Sequence, residues 1–253
     1  MNSRRHPFIA ADGPVAIAHR GYSSRYPENT MLAFQAAVDL GYGYVETDVH
    51  ATSDNVVVAF HDSTLDRVGD AKGAISEMEW PAVAKVWVGS ERIPRLLDIF
   101  DAWPNLKVNI DPKHDGAVGP LLDALRQANA WERACVGSFS SRRLRAMRRA
   151  AGKKLCTSMG RSEVARLWLA GRGIHAGSFS ADCVQVPVSH RGIEIVNRRF
   201  ISAASERGLP VHVWTINDRT VMNRLLDLGV DGIMTDRARE LRSVFDERGL
   251  ALL

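Results

Sequence analysis

The sequence predicts an α/β fold, a TIM-type (β/α)8 barrel that takes up residues 1–253 as one domain, and three observations predict it. Short β-prone apolar runs alternate with helical segments about eight times. Several of the apolar runs end abruptly in a polar or charged residue. The chain has 253 residues, the size at which such a barrel is a standard single-domain solution. Strands separated by helices pair in parallel through right-handed crossovers, and about eight such units close on themselves.

The elements follow in order. Val15 to His19 reads as the first strand; Thr30 caps a helix that runs through Leu40 and stops at Gly41. Tyr44 to Val49 is the second strand. Asp54-Asn55 is a turn that folds Val56 to Phe60 back as a hairpin partner. Residues 63–90 carry Gly69, Gly73 and Gly89 with weak periodicity and read as a small insertion, closed by Ile93-Pro94. Leu96 to Trp103 is a helix. The strands Leu106–Asp111, Ala134–Phe139, Lys154–Ser158, Cys183–Pro187, Val211–Ile216 and Gly232–Thr235 then alternate with the helices Val118–Asn129, Ser141–Ala151, Ser162–Ala170, Arg198–Gly208, Arg219–Leu228 and Ala238–Glu247. No linker divides the chain.

Composition narrows the function. A hydrophobic fraction of 45% with 25% charged residues excludes a disordered chain or a coiled coil. The net charge of +4 comes largely from Arg-rich helical segments such as Arg142 to Arg149, which read as solvated faces because no aromatic residues interleave with them. Nucleic acid is therefore not expected as a partner. Cys135, Cys156 and Cys183 are odd in number and widely spaced among apolar residues, so they read as reduced buried thiols rather than disulfides or a zinc site. Met1 to Asp12 lacks an apolar signal core and no window is long enough to span a membrane, so a cytoplasmic protein is expected; oligomeric state is left open.

In an α/β barrel the side chains at the C-terminal ends of the strands face the site. Polar residues at those places are His19 and Arg20, Glu46 and Asp48, His61, Asp111 and Lys113, Trp214 and Asn217, and Thr235-Asp236. Glu46 and Asp48 share one strand face about 6.5–7 Å apart. Two carboxylates aimed into one cavity repel unless a cation lies between them. A hard divalent cation held by Glu46, Asp48 and Asp111 meets that demand, and salt bridges to Arg20 and Lys113 are the alternative. Two histidines beside a cation suit displacement at a phosphodiester: His19 and His61 form an acid/base pair, with a pKa near 6.5 fitting them to it. Arg20 and Lys113 would neutralise the non-bridging oxygens. His50 reads as structural, and His114, His175, His190 and His212 as loop or core residues.

The ordered set His19-Arg20-Gly21, Glu28-Asn29-Thr30, Glu46-x-Asp48-Val49, Thr52-x-Asp54, His61-Asp62-x-x-Leu65-Asp66-Arg67, Ile93-Pro94, Trp214-Thr215-Ile216-Asn217 and Gly229 to Asp236 resembles the glycerophosphodiester phosphodiesterases over nearly the whole chain. The resemblance implies a TIM barrel that hydrolyses glycerophosphodiesters to glycerol 3-phosphate and an alcohol with a divalent cation, Mg²⁺ or Ca²⁺. It implies His19 and His61 as acid and base, Glu46 and Asp48 as metal ligands, Arg20 and Lys113 as phosphate contacts, and Trp214 as an aromatic wall of the substrate pocket. Residues 63–90 correspond to the family's small insertion.

One departure concerns the metal. The family's Glu-x-Lys is here Asp111-Pro112-Lys113, a ligand shorter by one methylene, roughly 1.3 Å of reach. Either the cation sits closer to that strand or a water bridges. Two other readings remain beside the small-molecule glycerophosphodiester substrate. One is a phospholipase D-like enzyme acting on lysophospholipids or sphingolipids; the other is a phosphodiester-binding homologue without catalysis.

Overall fold

The computed structural model describes residues 6–252. Eight parallel strands form the barrel: β1 (Val15–His19), β2 (Tyr44–Ala51), β3 (Lys107–Pro112), β4 (Ala134–Val136), β5 (Cys156–Thr157), β6 (Val184–Val186), β7 (Val211–Val213) and β8 (Gly232–Thr235). Each is followed by its helix: α1 (Met31–Asp39), α2 (Leu96–Ala102), α3 (Val118–Gln127), α4 (Ser141–Ala151), α5 (Arg161–Ala170), α6 (Arg198–Ser205), α7 (Arg219–Leu228) and α8 (Ala238–Glu247). The strands lie in the order β5-β4-β3-β2-β1-β8-β7-β6. The two ends meet through a parallel bridge between Ser158 and Cys183, where Met159 N donates to Cys183 O and Asp182 N to Thr157 O, both at 2.9 Å.

Alternation along the strands separates two apolar regions. Ala16 and Ala18 of β1 face outward and pack with Phe34, Ala37 and Phe245 of the helices. Val15 and Ile17 face inward, joining Tyr44, Met234 and the three cysteines. Above this floor lies a polar layer in which Gln185 Nε2 donates to Asn109 Oδ1 at 2.9 Å. A Cβ on Gly137 would stand 3.0 Å from Gln185 Oε1 and 3.4 Å from Ser158 Oγ, so glycine leaves room for that layer. The charged residues at the strand ends form the top.

The structure departs from the sequence reading at strand ends. β4, β5 and β7 leave the ladder early, because in a parallel barrel the C-terminal ends become the mouth. Gly137 to Phe139 therefore line a cavity instead of extending β4. β2 is longer than predicted, reaching Ala51, since Val57–Ala59 pairs antiparallel with its end in the register Val49↔Ala59 and Ala51↔Val57. Residues 63–90 are a packed annex: Leu65, Ile75, Val83, Val86 and Val88 form their own small core against Val58, Phe60 and Ile93. A ribbon of Ser189–His190 and Ile193–Glu194 after β6 had no sequence signal.

The beginning of the chain also carries more structure than its polar composition suggests. Pro7–Ile9 forms a 3₁₀ turn that closes the bottom of the barrel. Phe8 packs edge-on against Tyr44 at 5.3 Å between ring centres, Tyr44 OH donates to Phe8 O at 2.8 Å, and Lys107 Nζ donates to Pro7 O at 3.0 Å. Phe8 is fully buried. Phe8→Ala is expected to cost about 3–5 kcal/mol in urea unfolding; a change below about 1 kcal/mol would show that the turn does not seal the floor.

Candidate active site

The His19-Arg20-Gly21 turn begins the site. Arg20 (φ 55°) and Gly21 (φ 78°) both lie in the left-handed region, which turns the chain sharply off the end of β1. A Cβ on Gly21 would approach the Ala33 carbonyl carbon to 2.6 Å, so only glycine fits beneath α1. The turn points Arg20 back over β2, where its Nε lies 2.9 Å from Asp48 Oδ2 as an ion pair without hydrogen-bond alignment. Thr30 caps α1, accepting from Ala33 N at 3.3 Å. Next to it, Asn29 buttresses β2: its amide donates to Asp48 Oδ2 at 3.3 Å and accepts from Thr47 Oγ1 at 2.8 Å.

Strand register gathers the acids. His19 is level with Glu46 and Asp48 with Asp111. All eight residues selected from the sequence, His19, Arg20, Glu46, Asp48, His61, Asp111, Lys113 and Trp214, line one cavity of about 780 Å³ at the C-terminal mouth of the barrel. Lys113 Nζ lies 2.5 Å from Asp48 Oδ1 and 3.0 Å from Asp111 Oδ2, so the salt bridges of the alternative reading are present in part. That ammonium sits between the two aspartates and keeps them apart.

The electrostatics follow from burial and charge count. Burial pushes Glu46 up, and repulsion from Asp48 adds to it, carrying the carboxyl to about 7 despite His19, Lys113 and Arg20. Burial acts on Asp48 in the same direction, but Lys113 and Arg20 outweigh it and hold Asp48 below the usual range. Asp111 is raised by burial, only partly countered by Lys113. Its Oδ1 is buried without a hydrogen-bond partner. The bare acceptor on Asp111, beside the carboxyl oxygens of Glu46 and Asp48 on the same cavity, is the feature of this donor set that suits a hard divalent ion.

Each histidine is held at Nδ1 by a carboxylate. His19 Nδ1 lies 2.7 Å from Asp236 Oδ1, leaving Nε2 on the cavity side, 3.7 Å from Glu46 Oε2. A carboxylate partner means that Nδ1 carries the proton. Burial opposes the imidazolium, but Glu46 and the Asp236 hydrogen bond prevail and raise His19 above its ordinary value. Burial likewise opposes ionisation of Asp236, yet bonds from His19, Asn217 Nδ2 and Ser23 Oγ hold it at about 2.

His61 repeats the arrangement. Its Nδ1 lies 2.5 Å from Asp62 Oδ1; Arg67 Nε donates to Asp62 and Arg67 Nη2 to Glu28, both at 2.5 Å. Those bonds from Arg67 and His61 keep Asp62 at about 2. Glu28 also accepts from Arg20 at 3.1 Å, so one chain of charges joins His61 to the first turn.

Sequence reasoning assigned no function to Asp236, Asp62, Arg67, Glu28 or Asn29. The signal for Asp236 was its place at the end of the eighth apolar run. His50 keeps the structural role read for it: it donates from Nε2 to His61 O at 3.2 Å, stacks on His114 at 5.3 Å, and is pushed by burial down to about 4. His190, taken as a loop or core residue, instead lines the cavity. Trp214 meets Phe139 edge-on at 5.5 Å. With Met159, Trp168, Leu169 and Ile193 they make the wall opposite the charges strongly apolar.

Comparison with known proteins agrees with this geometry. The profile of the glycerophosphoryl diester phosphodiesterase family matches residues 19–240. The chain belongs to that family. It is accordingly a phosphoric diester hydrolase of the glycerophosphodiester class. Over 96% of its length it is 38% identical to the probable glycerophosphodiester phosphodiesterase 2 of Mycobacterium tuberculosis, covering 94% of that protein. It is 27% identical to a glycerophosphodiester phosphodiesterase of Caldanaerobacter subterraneus, with 93% of this chain and 99% of the relative covered. An Oleispira antarctica phosphodiesterase, solved with the product sn-glycerol-3-phosphate, shares the fold at a TM-score of 0.77 with 23% identity, covering 92% of this chain and 97% of that one. In this family member the matched region begins at His19, the first residue of the site.

The raised Glu46 has a consequence for stability. Its folded value of about 7 exceeds the ordinary 4.5, so the folded state holds the proton more tightly and loses stability as pH climbs from 4.5 through 7. Glu46→Gln, in metal-free protein, is therefore expected to gain about 1–3 kcal/mol over the parent above pH 7 and to show no gain below pH 4.5. Thermal melts across that range check it, and an equal gain at every pH would contradict the assignment.

Proposed function

We propose that this chain hydrolyses glycerophosphodiesters to sn-glycerol 3-phosphate and an alcohol, with His19 and His61 as the acid/base pair and a divalent cation, Mg²⁺ or Ca²⁺, at Glu46, Asp48 and Asp111. The observation that carries the reading is that two imidazoles, each fixed at Nδ1 by its own carboxylate, border one cavity together with Arg20 and Lys113. His19, favoured in its charged form, donates a proton to the leaving oxygen. His61 takes the proton of the attacking oxygen. Arg20 and Lys113 neutralise non-bridging oxygens, where negative charge grows in the transition state.

A bound divalent ion supplies further charge neutralisation at the phosphoryl group. Glu46, Asp48 and Asp111 would hold that ion, Asp111 through its unpartnered oxygen, and Lys113 would stand beside it to meet a phosphate oxygen. Glu46 then loses its reason to hold a proton. Three free buried cysteines suit a reducing compartment, the cytoplasm, and no helix among the described residues is long and apolar enough to cross a membrane.

A second reading is favoured by one feature of the cavity. Phe139, Trp168, Leu169, Ile193 and Trp214 present an apolar wall on the same cavity as the charged groups. A lysophospholipid or sphingolipid substrate, cleaved in the manner of a phospholipase D, would lay its chain there.

A panel of glycerophosphocholine, glycerophosphoethanolamine and lysophosphatidylcholine, each with and without chelator, decides the substrate and the metal. Release of sn-glycerol 3-phosphate that stops on chelation and returns with Mg²⁺ or Ca²⁺ is expected; full activity after stringent metal removal would refute the cation. Preference for lysophosphatidylcholine would select the second reading.

The histidine roles give their own test. His19→Ala and His61→Ala are each expected to reduce kcat at least 100-fold with the fold retained. Since His19 acts in its protonated form, activity falls as pH rises through its raised pKa. Asp236→Asn removes one cause of that rise and is expected to move the alkaline limb of kcat/KM to lower pH. An unmoved limb would take the acid role from His19.

A further inference from the structure

Cys135, Cys156 and Cys183 are far apart in sequence. In the fold they converge. Cys135 on β4 and Cys156 on β5 are register partners, and Cys183 stands at the seam beside Ser158, just before β6. All three point into the floor of the barrel, and all are buried. Cys135 Sγ and Cys183 Sγ are 3.8 Å apart, and the three sulfurs lie within 4.8 Å of one another. Among the described residues this is the one trio of histidine, cysteine or acidic side chains gathered so closely.

That spacing matches a coordination polyhedron. With metal–sulfur bonds of about 2.3 Å, three sulfurs around a trigonal ion stand about 4.0 Å apart. The closure required is at most about 0.8 Å at the widest pair. A disulfide would demand much more, since its sulfurs are only about 2.05 Å apart.

The surroundings answer the charge question. Three thiolates around a divalent ion leave one net negative charge in an apolar setting. Lys107 also reaches this floor, where its ammonium donates to Tyr44 OH at 2.7 Å and lies near enough to Cys156 to feel its charge. The buried imidazole of His212 is similarly coupled to Cys183.

We propose that Cys135, Cys156 and Cys183 form a trithiolate site for a thiophilic closed-shell cation, Zn(II) or Cu(I), in the floor of the barrel and separate from the catalytic mouth. Soft thiolates select such ions, whereas the mouth offers hard oxygen donors. Phe8, Ile9 and Tyr44 pack over the sulfurs, so the ion enters as the chain folds or when the N-terminal turn lifts. Binding releases the thiol protons to solvent and involves no oxidation.

The test uses the full chain, unfolded under reducing, anaerobic conditions and refolded with Cd(II), Zn(II) or Cu(I), with Mg(II) in excess to occupy the carboxylates. One equivalent retained per chain through gel filtration is expected, with thiolate-to-cadmium charge-transfer absorption that carboxylates do not produce. Cys135→Ser, Cys156→Ser and Cys183→Ser should each bind at least tenfold more weakly, their folding checked by circular dichroism. Should these variants not fold, bound metal in the unsubstituted protein must slow thiol labelling by at least tenfold. Competition between Zn(II) and Cu(I) for the refolded chain identifies the ion. Absence of thiolate–metal absorption with all three metals, undiminished binding by the folded serine variants, or labelling at an unchanged rate would each overturn the site.

Discussion

Three carboxylates share the mouth of this barrel, and their repulsion in a poorly solvated place governs what surrounds them. Glu46, Asp48 and Asp111 come from adjacent strands, with Asp48 level with Asp111. Sheet hydrogen bonding leaves them no freedom to move apart. Two nearby cations, Arg20 and Lys113, satisfy Asp48 most fully, so Glu46 is left to hold a proton up to about 7 and Asp111 to keep an unpartnered oxygen. The left-handed turn at Arg20 and Gly21 exists in this setting to deliver one of those cations, and Asn29 supports Asp48 from the other side. A charge imbalance among carboxyls built onto a rigid frame is the kind of perturbed cluster that marks a functional site.

The barrel tolerates that imbalance because its interior is graded. The floor is apolar and sealed by Phe8; the next layer is neutral and polar, with Gln185, Asn109 and His212 bonded to one another. Burial holds His212 below its ordinary pKa, so this layer brings no competing charge beneath the acids. The carboxylates of the site and their cationic partners are confined to the top layer, where solvent in the cavity lessens the cost. Parallel strands closed in a ring bury the cysteines with Phe8 and Tyr44, apart from the cavity that the carboxylates line.

The mouth is also divided sideways. β1, β2 and β3 and the turns after them contribute most of the charged groups, while the segments after β4 through β7 contribute Phe139, Met159, Trp168 of α5, Ile193 and Trp214, with Arg161 among them. A phosphodiester has the same polarity when its alcohol is apolar, with an anionic centre at one end of a greasy body. The two histidines stand on the ionic side, His19 beside Glu46 and His61 reached through Asp62, Arg67 and Glu28.

The sequence by itself determined the fold class and named residues that the fold then brings to one cavity. Regular alternation of strand and helix at this length specifies a closed parallel barrel, and a polar residue ending an apolar strand in such a barrel has to face the mouth. That logic found His19, Glu46, Asp48, Asp111 and Lys113 without coordinates. It could not reach Asp236 as the partner of His19, since the two are 217 residues apart and meet only because β1 and β8 are neighbours in the ring. Nor could it see the N-terminal plug, the apolar wall or the convergence of the cysteines. Local pattern records which face a side chain takes on its own strand; which side chains share a level across strands is decided by register and by closure of the sheet, and those exist only in the folded chain.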